Sequence, residues 1–86
     1  MSNILYIVYM IVDNLIDVKT KYLSSLIRKR RKELSLKQSD LARLCGLTES
    51  AICRYENGSR FPKPEALIRI AEVLGIETGE LFKIEE

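Results

Sequence analysis

Two apolar stripes at helical spacing, parted by one glycine, constrain this chain more than any other feature. Within residues 38–57, QSDLARLCGLTESAICRYEN, the first stripe is Leu41, Ala42, Leu44 and Cys45, and the second is Leu47, Ala51, Ile52 and Tyr55. The pattern predicts two short helices meeting at a tight turn. Ala42 is small where crossing helices approach closely, and Gly46 is free to take the left-handed conformation that ends a helix. Thr48 then stands ready as the N-cap of the second helix.

The flanking sequence supplies three more helices. Leu23, Leu26, Ile27, Arg30 or Arg31, and Leu34 follow the helical period, which predicts a helix over about 22–34 with Arg28, Lys29 and Lys32 on its outer face. The paired helices fall at about 38–45 and 49–57, followed by Gly58 and a loop that Pro62 keeps from becoming helical. Pro64 suits the first turn of the next helix, whose Leu67, Ile70, Ala71 and Leu74 face inward until Gly75 stops it. Thr78 caps a last short turn from which Leu81 and Phe82 fold back. The fold class expected is all-α, a compact five-helix domain.

Ahead of it lies an apolar N-terminal extension. Ile4 to Val12 is an unbroken apolar run whose Ile, Val and Tyr content favours a strand, but the period favours a helix. Ile4, Val8, Ile11, Leu15, Val18 and Tyr22 step by four and three residues alternately, like the seam of a coiled coil. We therefore divide the chain into residues 1–22, an additional helix serving oligomerisation, and residues 23–86, the domain proper. The nine-residue run is too short to cross a bilayer, so no membrane association is expected and the cytoplasm is the default location. Exposed, such a run would aggregate, so it should pack on its own domain or, preferably, on a second subunit, and it also offers a surface to a protein partner. Tyr6, Tyr9 and Tyr22 read as packing groups in this seam.

An 86-residue chain supports one modest core. It has no histidine, and Cys45 and Cys53 lack the spacing of a zinc knuckle or redox pair, so no catalytic residue, metal ligand or cofactor is expected. Cys45 reads as core, Cys53 as marginal. The net charge of +2 conceals an asymmetry. Residues 1–18 carry −2 from Asp13 and Asp17, while residues 19–63 carry +8, with twelve Lys/Arg against Glu33, Asp40, Glu49 and Glu56. Residues 64–86 carry −4. The cations are shared among several helices and turns, which fits a polyanion better than a membrane surface.

These features together resemble the helix-turn-helix domain of phage Cro and repressor proteins and the wider Xre-type regulators. The resemblance rests on LKQSDLARLCGLTESAICRYENGSRFPKPEALIRIAEVLGI followed by GELF: the Gln opening the second helix, the Ala42/Gly46 pair, Glu56-Asn57-Gly58, and the Pro before the fourth helix. It covers about two-thirds of the chain. Lys37 departs from it, since the family often has Ser or Thr there as an N-cap. The resemblance implies double-stranded DNA as partner, and it implies an internal ion pair between Arg31 and Glu56.

A recognition helix lays its N-terminal part in the major groove, so the outward residues there are the candidates for reading bases. These are Glu49, Ser50 and Arg54. Arg54 suits a bidentate bond to guanine, Glu49 could accept from a cytosine amino group or serve the helix N-terminus instead, and Ser50 suits several bases. Lys37, Gln38, Thr48, Asn57, Arg60 and Lys63 are the candidates for the DNA backbone. The function expected is a sequence-specific transcriptional regulator, a repressor binding a palindromic operator as a homodimer. Related domains often pair near the C-terminus, here Phe82 and Ile84, and residues 1–22 offer a second surface. The alternative is a protein-interaction module, such as an antitoxin or anti-regulator, with secondary autoregulatory DNA binding.

Overall fold

The computed structural model describes residues 2–81. Five helices follow in order: α1 Ser2–Glu33, α2 Gln38–Cys45, α3 Glu49–Asn57, α4 Pro64–Leu74 and α5 Thr78–Leu81, with no strand among the described residues. The extension is helical, but it is continuous with the helix expected at 22–34. Residues 13–22 contain neither Gly nor Pro, so nothing in the backbone ends the helix at the domain edge. At about 1.5 Å per residue the merged helix is roughly 48 Å long. Ile4, Ile7 and Val8 are exposed on it. The side chains of Tyr6, Tyr9, Ile11, Leu15 and Val18 lie outside the described part, as do Phe82 and Ile84. No helix among the described residues is long and apolar enough to cross a membrane.

The core is built where the four longer helices converge. Ile27 of α1, Leu41 of α2, Ile52 of α3, and Ile70 and Leu74 of α4 are fully buried, with Leu23, Ala42, Cys45, Tyr55 and Leu67 around them. Leu36, Leu47 and Leu81 pack on its margin. Two expected core residues are not in it, since Leu34 and Leu44 are exposed. In α2 the buried set Leu41, Ala42 and Cys45 spans a narrow arc, and Leu44 sits about 100° from its centre. Leu34 follows the last residue of α1, where the helical period no longer aims it inward.

Four helices end on a residue of positive φ. Gly46, Gly58, Gly75 and Ser35 each adopt it, and in each case the residue after them donates back across the last turn. Leu47 N–H bonds Ala42 O at 2.8 Å, Ile76 N–H bonds Ala71 O at 2.9 Å, and Leu36 N–H bonds Arg31 O at 3.0 Å. This closure satisfies carbonyls that the helix leaves free and turns the chain sharply. Serine performs it at Ser35, with φ of 59°, where glycine is the usual residue.

Arginines meet further last-turn carbonyls of two of these helices from a distance. Arg30 donates from Nε and Nη2 to Leu74 O, at 3.2 and 2.8 Å, and so caps α4 from α1. Arg69 Nη1 reaches Cys45 O at 3.4 Å, capping α2 from α4. Tyr22 donates to Glu80 O at 2.8 Å and ties α5 to α1.

These ends predict opposite effects for two substitutions. Gly46→Ala imposes left-handed strain and lowers stability by about 1–2 kcal/mol. Ser35→Gly removes that strain at a smaller cost in backbone entropy and raises stability by up to about 1 kcal/mol. Urea unfolding of the two variants measures both.

Candidate nucleic-acid interface

The turn between α2 and α3 determines how α3 is presented. Gly46, at φ of 68°, ends α2, and two residues later the Thr48 hydroxyl accepts from Ala51 N–H at 3.1 Å to start α3. The inward side of α3 consists of Ile52, Tyr55 and Glu56, all buried, with Ala51 half-buried. Glu49, Ser50, Cys53, Arg54 and Asn57 form one exposed row along the other side. Glu49, Ser50 and Arg54 thus share a surface that no other helix covers. Arg54 is held only through its backbone: its carbonyl accepts from Gly58, Ser59 and Arg60 N–H as the chain wraps round the end of α3, leaving the guanidinium in solvent.

Glu56 anchors the buried side. Its carboxylate receives Arg31 Nε at 2.6 Å and Arg31 Nη2 at 3.0 Å, a bidentate pair between α3 and α1 with both side chains almost fully buried. Arg31 Nη1 also donates to Leu36 O at 2.7 Å. A third group joins from α2, because Gln38 Nε2 donates to Glu56 Oε1 at 3.1 Å. The hydrogen bonds to Glu56 raise the Arg31 pKa above its ordinary value despite the opposing cost of burial. Arg31 therefore stays charged at every working pH.

The other residues assigned to the DNA backbone flank α3. Lys37 is the N-cap residue of α2; its ammonium has no lone pair to cap with, and the helix is closed from the other direction by Asp40, which accepts from Lys37 N–H at 2.9 Å. The Lys37 side chain is left exposed. Gln38 is half-buried by its bond to Glu56, which fixes its amide at the start of α2. Asn57 accepts from Ser59 N–H at 2.9 Å, which leaves its amide nitrogen to donate outward. Arg60 and Lys63 are exposed at either end of the loop before α4. Thr48 lies between α2 and α3, its hydroxyl oxygen engaged by Ala51 while its proton stays available.

Sequence reasoning missed the bond from Gln38 to Glu56 and the two arginine caps. Gln38 and Glu56 are 18 residues apart and no local period connects them. The Asp40 cap was detectable, as an acid three residues after the helix start is one half of a capping box. The two cysteines behave differently. Cys45 is buried, and burial pushes its thiol pKa up against the opposing charge of Arg69; Cys53 is exposed on the outer row of α3. Among the described residues, no group of His, Cys, Asp and Glu is arranged to hold a metal ion.

Comparison with known proteins agrees with this geometry. A helix-turn-helix family model matches residues 27–81. A 10 kDa protein of the ImmF control region of Bacillus phage phi105 is 34% identical over 61 residues, covering 71% of this chain and 68% of its own. An HTH-type transcriptional regulator of Methanothermobacter thermautotrophicus is 41% identical over 63 residues, covering 72% of this chain and 91% of its own. The Bacillus subtilis HTH-type transcriptional regulator YqaE is 37% identical over 60 residues, 70% of this chain, and the match spans about half of that longer protein, 52%.

Glu56→Ala leaves a buried guanidinium without its carboxylate and lowers stability by about 3–5 kcal/mol. Arg31→Met with Glu56→Leu removes both charges and costs much less, which unfolding of the single and double variants resolves. Cys45 has a raised pKa in the folded chain, so its contribution is constant at neutral pH. It is lost as pH climbs past the ordinary thiol value near about 8.5, because the unfolded chain ionises first. The alkaline fall in stability flattens in Cys45→Ala, and a thiol reagent labels native Cys53 long before Cys45.

Proposed function

Because this chain belongs to the Xre-type helix-turn-helix family of phage Cro and repressor proteins, and is a DNA-binding transcriptional regulator and not an enzyme, we propose that it acts as a repressor that occupies a palindromic operator as a homodimer. The observation that carries this reading is the exposed row of Glu49, Ser50 and Arg54 on a helix whose opposite side is locked by the buried Arg31–Glu56 pair. With α3 in the major groove, Arg54 bonds guanine O6 and N7, Glu49 accepts from a cytosine amino group, and Ser50 adapts to its neighbour. Lys37, Gln38, Thr48, Asn57, Arg60 and Lys63 hold phosphates and set the register. Repression follows from occupancy alone, since no effector pocket or cofactor is needed for it.

One copy of α3 reads only a few base pairs, which is too little for an operator. Two copies related by a two-fold axis read half-sites about 34 Å apart on one face of the duplex. The exposed Ile4, Ile7 and Val8 favour the N-terminal half of α1 as the contact between copies. The same surface would serve a different protein if the chain were an interaction module. The +8 charge of residues 19–63 favours DNA as the main partner.

Binding selection from random DNA with the intact chain is expected to enrich a palindrome. Arg54→Ala lowers affinity for the enriched site by about 1–3 kcal/mol and relaxes preference at one position of each half-site. Ile4→Lys with Val8→Lys turns the dimer into a monomer in gel filtration and weakens operator binding. Persistent monomers of the intact chain, or a selected site without symmetry, would contradict the dimer.

A further inference from the structure

Among the described residues, three cations are used neither by the fold nor by the surroundings of α3. Arg30 caps α4, Arg31 joins Glu56, Arg43 meets Asp40 at 3.6 Å and Arg69 reaches Cys45 O. Lys37, Arg54, Arg60 and Lys63 surround α3. Arg28, Lys29 and Lys32 remain, exposed on the last turns of α1 and engaged by no hydrogen bond or ion pair among the described residues.

Their positions on α1 differ in one respect that matters. A Cβ placed on Gly58, at the end of α3, would lie 3.5 Å from Ser24 Oγ and 3.8 Å from Thr20 Cγ2, and Arg31 meets Glu56. Residues 20, 24 and 31 therefore mark the strip of α1 that faces α3. At about 100° per residue, Arg28 lies roughly 60° round from the centre of that strip, Lys32 roughly 100° and Lys29 roughly 160°. Arg30, which bonds Leu74 of α4, lies on the other side of the strip. Arg28 and Lys32 thus line the solvent edge of α1 beside α3, one helical turn apart, and Lys29 faces away.

The edge is continuous with the cations already assigned to phosphate. Lys32 and Lys37 are joined by a short connection closed by Ser35 N–H to Lys32 O and Leu36 N–H to Arg31 O, both at 3.0 Å, and Arg31 Nη1 holds Leu36 O from below. The turn at Ser35 therefore keeps Lys32 and Lys37 on one end of the domain. No carboxylate interrupts the track, as Glu33 is drawn to Arg30 at 2.8 Å and Asp40 is occupied by Lys37 N–H.

We propose that Arg28 and Lys32 carry the phosphate contact past α3, so that α1 grips the DNA flanking each half-site. The partner is the backbone of the same duplex, recognised by charge and not by sequence. The contact adds affinity and salt dependence without changing which bases are preferred, and it rests on the reading of α3 as the recognition helix.

The test compares two duplexes carrying the same selected site. One ends at the edge of the site and the other adds about one helical turn, roughly 10 bp, on each side. For the intact chain, the slope of log affinity against log salt is expected to be steeper on the long duplex, by about 0.9 for each added contact. Arg28→Ala with Lys32→Ala gives the same slope on both duplexes, with unchanged base preference. Lys29→Ala removes a neighbouring charge that faces away and keeps the difference between duplexes. All the substituted residues are exposed, and matching thermal unfolding confirms that the variants fold. Equal slopes for the intact chain on the two duplexes, or a slope difference that survives in the double variant, would overturn the proposal while base preference still depends on Arg54. Absence of DNA binding by the intact chain would overturn the recognition-helix reading and this one together.

Discussion

The buried pair between Arg31 and Glu56 is the contact on which the rest of the structure depends. Two opposite charges are almost fully removed from water, a costly arrangement unless every donor and acceptor is used. Here the guanidinium also holds Leu36 O and the carboxylate also takes the Gln38 amide. One carboxylate thereby joins α1, α2 and α3. The bidentate pair is directional, so it gives α3 a defined rotation against α1 that a non-directional apolar contact does not by itself specify. That rotation decides which side chains face outward.

The same economy appears at the helix ends. A domain this small has few residues to spare for loops, so its turns are short and its last carbonyls are met by backbone donors or by an arginine from another helix. Arg30, Arg31 and Arg69 each connect elements distant in sequence. Cations that a charge count assigns to a polyanion are thus partly structural. Among the described residues, most of what remains outward is gathered round α3 and along one edge of α1, with Lys29 facing away.

The helix boundaries from Gln38 onward were legible because local rules agree with one another there. Gly46 and Gly75 stop helices, Thr48 and Pro64 start them, and the apolar period runs between. The outward residues of α3 followed from the same period. Continuity of α1 was not legible, because one apolar seam ends at Tyr22 where the next periodic stretch begins, and a change of stripe does not break a helix without Gly or Pro. Leu44 was misplaced because a stripe drawn by spacing does not state how wide an arc the neighbours cover, and Leu34 because it lies just past the end of α1. The Gln38 bond and the arginine caps were not readable, since they depend on tertiary approach between residues 18 to 44 positions apart.

In the proposed complex the buried pair presents α3 so that Arg54 meets a guanine in the major groove. Methylation interference at guanine N7 across the bound site tests it most directly. Methylating one guanine in each half-site is expected to block the intact chain, and the same methyl group is expected to cease to matter for Arg54→Ala. Binding that is indifferent to every major-groove methyl group, or interference unchanged in the variant, would contradict it.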